Sequence, residues 1–270
     1  MELQNLFIAK PTLTQKSITS YENLYHRLME TGKFDYPIND TTNKKVIQII
    51  ADMPCSANSK QSLLNIAIII KQVYKKDTEL LVKQREIFKK LITEERVVTN
   101  DELKGTLPVY ADLVNFLDDL FKRGVWQDYI INYLLLHYGV RNMDLNLIVT
   151  KDKINKQNKV DNFLLVQSKN ILFIRNKYKT AKTYGRKIET IANKDFLYAV
   201  KQFGDGFLLG SKDHRISNNM GSVIQDKTLN KIGEGNIFKI LVENSTKNGL
   251  TKLYANRGTS VSTIVESYSI

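Results

Sequence analysis

The sequence predicts a mainly α-helical protein of two domains, with a small antiparallel β-sheet inserted in the second. Three observations predict it. Apolar residues recur at helical spacing through the first 95 residues and again from Pro108 to Tyr138. Short β-prone runs with a turn between them appear only after Leu147. The length, 270 residues, is more than one small core needs.

Residues 1–15 read as a flexible N-terminal arm. Ser17 to Glu30 carries Ile18, Tyr21, Leu24, Tyr25 and Leu28 on one helical face. Asp40 and Thr41 are placed to cap a helix running to about Met53, where Pro54 stops it. Ser59 opens a third helix with Leu63, Ile66, Ile70 and Val73 inward. A fourth runs from about Thr78 to Ile92. Residues 16–97 therefore form one helical domain. Thr99-Asn100-Asp101-Glu102 reads as a cap-like break, and residues 98–270 form the second domain.

In that second domain a helix to about Lys122 and another from Val125 to Tyr138 are joined at Gly124. Asn162–Gln167 and Ile171–Arg175 read as a β-hairpin around Ser168-Lys169-Asn170, and Ile188–Ile191 as a third strand. Helices are expected at about Asp195–Phe203, Asn218–Asn230, Gly235–Glu243, Leu250–Ala255 and Ser260–Glu266.

Composition narrows the function classes. Hydrophobic residues make up 42% of the chain, so a folded core is expected. No apolar run approaches the roughly 18 residues that span a bilayer, and the N-terminus lacks a basic-then-apolar signal pattern. The protein is expected to be neither membrane-bound nor secreted. One cysteine, Cys55, excludes an intrachain disulfide and reads as a small buried side chain. No His/Asp/Glu spacing suggests a metal, and no glycine-rich phosphate loop is present, so no cofactor and no small-molecule substrate are expected.

The net charge is +12, which favours a polyanionic partner through counterion release. Between Lys151 and Lys194 twelve Lys/Arg face three acids, which favours nucleic acid as the ligand. Richness in Lys, Asn and Ile suits an AT-rich viral or mobile-element origin.

Two segments carry the chemistry. Tyr138-Gly139-Val140-Arg141-Asn142-Met143-Asp144-Leu145 ends an apolar helix in a tight turn. Gly139 permits the turn and Arg141 follows it, with Asp144 placed to hold the turn. A guanidinium there can fork two phosphate oxygens. The last residues, Ala255-Asn256-Arg257-Gly258-Thr259-Ser260-Val261-Ser262-Thr263, lead to Tyr268.

These motifs resemble the tyrosine recombinase/integrase family, over the chain from about residue 13 onward. The family places Gly-apolar-Arg-x-x-acid-Leu after an apolar helix, and the match puts Arg141 as the first catalytic arginine. Thr14 to Tyr21 is similar to the pattern opening the family's DNA-clamping core-binding domain. The resemblance implies that residues 98–270 form a catalytic domain, and that the two domains close on DNA as a C-shaped clamp. A catalytic lysine is implied on the hairpin turn. Tyr178-Lys179-Thr180 resembles the family's Lys-Thr step, so Lys179 is the choice and Lys177 and Lys182 are rivals. Arg186 and Lys187 extend the same basic loop as DNA contacts.

The second box departs from the family. Its His-x-x-Arg falls on Asn236 and Lys239, and lysine cannot bind phosphate in Arg's two-pronged way. The family's His/Trp position falls on Arg257 or Gly258, and Arg257 is placed to replace a phosphate contact. Tyr268, one residue later than usual, is the implied nucleophile, attacking DNA to give a 3′-phosphotyrosyl link. The implied assembly is a homo-oligomer, a tetramer on DNA, acting wherever the DNA lies, in the cell or in a virion. The alternative is a catalytically degenerate relative, a non-enzymatic DNA-binding, architectural or virion protein. A basic protein with no nucleic-acid role ranks third. Among the histidines, His137 is expected to pack on its helix, His26 to lie near DNA, and His214 to be a loop residue.

Overall fold

The computed structural model describes residues 15–103, 105–152, 160–211 and 232–258. The chain divides into two compact units, Met1–Thr99 and Asn100–Ile270.

The first unit holds α1 (Gln15–Gly32), α2 (Asn43–Asp52), α3 (Ala57–Val73) and most of α4 (Glu79–Leu103). Leu63, Leu64, Ile66, Ala67 and Ile70 of α3 are fully buried, which makes α3 the central helix. Leu28 from α1, Val46 and Ile50 from α2, and Leu81 and Phe88 from α4 complete the core. Two start signals fall close to, but not on, the expected residues. Thr42, not Asp40 or Thr41, caps α2 by accepting from Lys45 N (3.3 Å). Ser56, not Ser59, caps α3. Cys55 is half-buried rather than buried.

The largest departure is α4, which runs past Ile92 and through the expected break at Thr99–Glu102. No Gly or Pro interrupts the chain before Gly105. The Thr99 hydroxyl turns back on the Glu95 carbonyl (2.9 Å), so Thr99 prolongs the helix instead of capping a new one.

The second unit opens with α5 (Tyr110–Lys122) and α6 (Trp126–Tyr138). Residues 129–136 of α6 are all buried, so it is the core of this unit. A short 3-10 turn, Asn142–Leu145, leads into β1 (Leu147–Thr150). Then come β2 (Asn162–Val166), β3 (Ile171–Arg175), the single-turn α7 (Ala181–Tyr184), β4 (Lys187–Ile191), α8 (Lys194–Phe203) and β5 (Gly206–Phe207). Beyond lie α9 (Glu234–Glu243) and α10 (Lys247–Arg257). Phe196 of α8 stacks on Tyr133 of α6 at 4.2 Å.

The sheet has five strands in the order β4-β3-β2-β1-β5 and is mixed, not antiparallel as expected. β2–β3 is antiparallel across the short turn 167–170, and β3–β4 is antiparallel across the longer connection 176–186 that holds α7. β1 and β2 pair in parallel, Leu147 opposite Asn162, which the length of the connection 151–161 permits. β1 and β5 carry too short a pattern to be distinguished from loop by alternation. The helices expected at Asn218–Asn230 and Ser260–Glu266, the arm up to residue 14 and His214 lie outside the described residues. Among those described, no helix is long and apolar enough to cross a membrane.

Candidate functional site

The site is built at the C-terminus of α10. Thr246 caps the start of this helix by accepting from Gly249 N, and Gly258 ends it in the left-handed region (φ 60°). The last carbonyls of a helix have no partner within it and carry its negative dipole end. Here side chains from four other segments supply the donors. Lys187 Nζ donates to the Ala255 carbonyl and to that of Asn256 (3.2 Å). Arg175 Nη1 donates to the Asn256 carbonyl (2.8 Å). Arg141 Nη1 donates to the Arg257 carbonyl. Thr180 Oγ1 donates to the Gly258 carbonyl (3.1 Å).

Arg141 is delivered by the turn that ends α6. Gly139 takes φ 57°, and a Cβ on it would lie 2.9 Å from Phe238 and 3.1 Å from Leu253, so glycine is required twice over. Asp144 Oδ2 then accepts from Arg141 N (3.2 Å), the turn-holding contact expected of it. Asn142 N donates to Glu234 Oε2 (2.9 Å), so the first turn of α9 braces the same loop. The Arg141 side chain is half-buried.

Arg257 sits differently from its expected phosphate contact. It is 2% exposed. Its guanidinium donates to the Gly139 carbonyl (3.1 Å) and to Glu234 Oε1, and lies 3.9 Å from the centre of the Phe238 ring. These contacts tie α10 to α9 and to the Arg141 turn.

Arg175 was not foreseen. It is fully buried at the end of β3. It meets Asp144 Oδ2 (3.5 Å), Glu189 Oε1 (2.7 Å) and the Asn256 carbonyl, with the Phe173 ring 4.9 Å away. A signal existed: Ile171, Phe173 and Arg175 share one strand face, and that face is buried. Burial pushes the Asp144 carboxyl above the usual range, while Arg175 and Arg141 pull it back.

The basic loop has an anchored backbone and exposed cationic side chains. Asn162 Oδ1 accepts from Asn176 N (2.9 Å) and Lys177 N (2.8 Å), and Asn162 Nδ2 donates to the Lys177 carbonyl (2.9 Å). Tyr178 is buried, with its hydroxyl on the Gly185 carbonyl (2.6 Å). Lys179 lies exposed between Tyr178 and Thr180, and Lys177, Lys182 and Arg186 are exposed as well. Lys187 is half-buried, its ammonium 4.9 Å from the Tyr178 ring centre.

Burial, reinforced by Arg175, pulls the Lys187 pKa below the ordinary lysine value. The unfolded chain therefore holds this proton to higher pH than the folded one. Across the window between the two values stability rises with pH; below it the charged amine carries a constant cost. Denaturant unfolding from neutral to alkaline pH is expected to show that rise, and Lys187→Met is expected to flatten it.

Gly258 is equally constrained. A Cβ there would lie 2.2 Å from Thr180 Oγ1. Gly258→Ala adds about 1–2 kcal/mol of left-handed strain to about 1–3 kcal/mol of overpacking. Denaturant unfolding is expected to show that loss, and Thr180→Ala in the same chain to recover part of it.

Asn236 and Lys239 lie on α9 and are half-buried. Lys239 Nζ donates to Asn100 Oδ1 (2.6 Å), and burial pulls its pKa below the ordinary lysine value. Tyr268 lies outside the described residues. His137 is exposed but packs on its own helix as expected, its ring 4.3 Å from that of Tyr133. Arg141, Arg257, Lys187 and the Lys179 turn thus converge on one helix end, whereas the contact of Lys239 is with Asn100.

No family model and no curated protein matches the chain. Among solved structures, the crystal structure of XerA recombinase is similar at a TM-score of 0.38 and 14% identity. That similarity covers 100% of this chain and 93% of the other.

Proposed function

We propose that this chain is a DNA strand transferase of the tyrosine recombinase type. The observation that carries this reading is the convergence of Arg141, Lys187 and the Lys179 turn on the root of the segment that leads to Tyr268. Chain length alone keeps Tyr268 within about 36 Å of Gly258. A phosphate oxygen is a stronger acceptor for a guanidinium than a peptide carbonyl, so a bound phosphodiester takes the Arg141 donors. The exposed Lys177, Lys182 and Arg186 then meet the flanking backbone phosphates, which position the duplex without reading it.

In the reaction the Tyr268 phenol oxygen bonds to phosphorus and gives its proton to solvent. The bond from phosphorus to the 5′ oxygen breaks, and Lys179 protonates that oxygen. The phosphodiester energy is held in the 3′-phosphotyrosyl bond, and a second 5′-hydroxyl reverses the step. Arg141 stabilises the charge that develops on the phosphate. We assign Arg257 to positioning, because its donors hold the Arg141 turn. The site residues, the enclosure of DNA by both domains and a multimer on DNA all belong to this proposal.

A second reading is favoured by α9. Asn236 cannot shuttle a proton, and Lys239 is engaged by Asn100. A chain that binds duplex DNA with a steep salt dependence but never cleaves it is a non-catalytic DNA-binding protein.

Nicked suicide duplexes, which lose the attacking hydroxyl, separate the two. The first reading predicts a covalent protein–DNA adduct that Tyr268→Phe abolishes. Salt-sensitive binding without any adduct would establish the second.

A further inference from the structure

We infer that α4 carries a self-association surface, which pairs antiparallel with α4 of a second copy of this chain. At about 100° per residue, Leu80, Ile87, Leu91 and Val98 fall within about 20° of a single line along the helix. They are 41%, 51%, 42% and 58% exposed. The face that folds the first unit is a different one. Leu81, Phe88 and Ile92 are buried about 100° around the helix. Among the described residues the stripe belongs to neither hydrophobic core. It runs for about 27 Å, with Gln84 and Glu94 on either side of its central Ile87/Leu91 pair.

Charge selects the occupant and its direction. The first half of α4 carries Lys83, Arg85, Lys89 and Lys90 against Glu79 and Glu86. The second half carries Glu94, Glu95, Asp101 and Glu102 against Arg96. A parallel copy sets like charge beside like charge. An antiparallel copy, related by a two-fold axis, sets each basic half beside an acidic one. In that register Leu80 faces Val98 of the second copy and Ile87 faces Leu91. Lys83 and Glu94 lie on the same flank of the seam and meet twice. Lys83 holds Glu79 within its own helix (2.6 Å), an exposed pair that exchanges readily.

Sedimentation equilibrium of the full chain without DNA tests this pairing independently of any strand-transfer activity. A reversible monomer–dimer equilibrium is expected. Ile87→Glu with Leu91→Glu is expected to leave a monomer with unchanged helix content, because both side chains already face water. Lys83→Glu is expected to weaken the dimer and Lys83→Glu with Glu94→Lys to restore it. A chain that stays monomeric as concentration rises, or a dimer indifferent to the Ile87/Leu91 pair, would overturn the proposal. Failure of the charge swap to restore pairing would overturn the antiparallel register.

Discussion

Arg141→Ala is expected to slow covalent strand cleavage by roughly 10²–10³-fold. Two features make the effect large. The turn that presents Arg141 is held by Gly139, Asp144 and Glu234, so its guanidinium is oriented before any ligand arrives. The neutral Arg257 carbonyl at the end of α10, to which it donates, loses to an anionic phosphate oxygen in the same place. The fold should survive, because a hydrogen bond to a carbonyl is worth about 0.5–1.5 kcal/mol and Asp144 keeps Arg175 beside it. Arg141→Lys keeps the charge and loses the fork, so it should rescue little of the rate. Duplex affinity should fall much less than the rate, with the salt slope reduced by about one phosphate contact. Single-turnover adduct formation and salt-dependent binding, measured on the same variants, separate the two effects.

Arg175→Leu is expected to be the most damaging single change to stability. Arg175 is fully buried and offsets both Asp144 and Glu189 while donating to the Asn256 carbonyl. Leucine fills part of the space but leaves Asp144 buried without the stronger of the two cations that pull its pKa down. Breaking a buried pair from one side costs about 3–5 kcal/mol. Calorimetry should show the loss in the second unit while the first, which has its own core, melts as before. Partial rescue by removing the carboxylates, as Asp144→Asn with Glu189→Gln, would identify the uncompensated charge as the cause. Activity loss in Arg175→Leu beyond the loss of folded protein would further show that the Arg141 turn and α10 are coupled through it.

Local signals made much of this legible in the sequence. The end of α6 at Tyr138, the glycine turn and the role of Asp144 follow from short-range pattern, and β3 falls at Ile171–Arg175 as read. What escaped depends on long-range packing. Thr99 has the chemistry of a cap, yet its hydroxyl serves the Glu95 carbonyl inside a continuing helix. The parallel pairing of β1 with β2 is fixed by where the chain returns, which no strand pattern encodes. The tail motif makes Arg257 a phosphate contact, and the hairpin motif makes Lys179 the catalytic lysine. The fold buries the first against Phe238 and leaves the second on the surface. Lys187, read as one more DNA contact, is set apart by its two carbonyl partners on a helix more than sixty residues away. Lys239 finds Asn100, a partner that spacing alone does not suggest.

The central claim is that a phosphodiester held at Arg141 is attacked by the phenol of Tyr268. Mass spectrometry of tryptic peptides from the adduct trapped on a nicked duplex addresses it directly. The account predicts nucleotide mass on Tyr268, within the peptide that follows Arg257. Nucleotide mass on another residue, Tyr254 for example, or an adduct of equal yield from the Arg141→Ala protein, would contradict it.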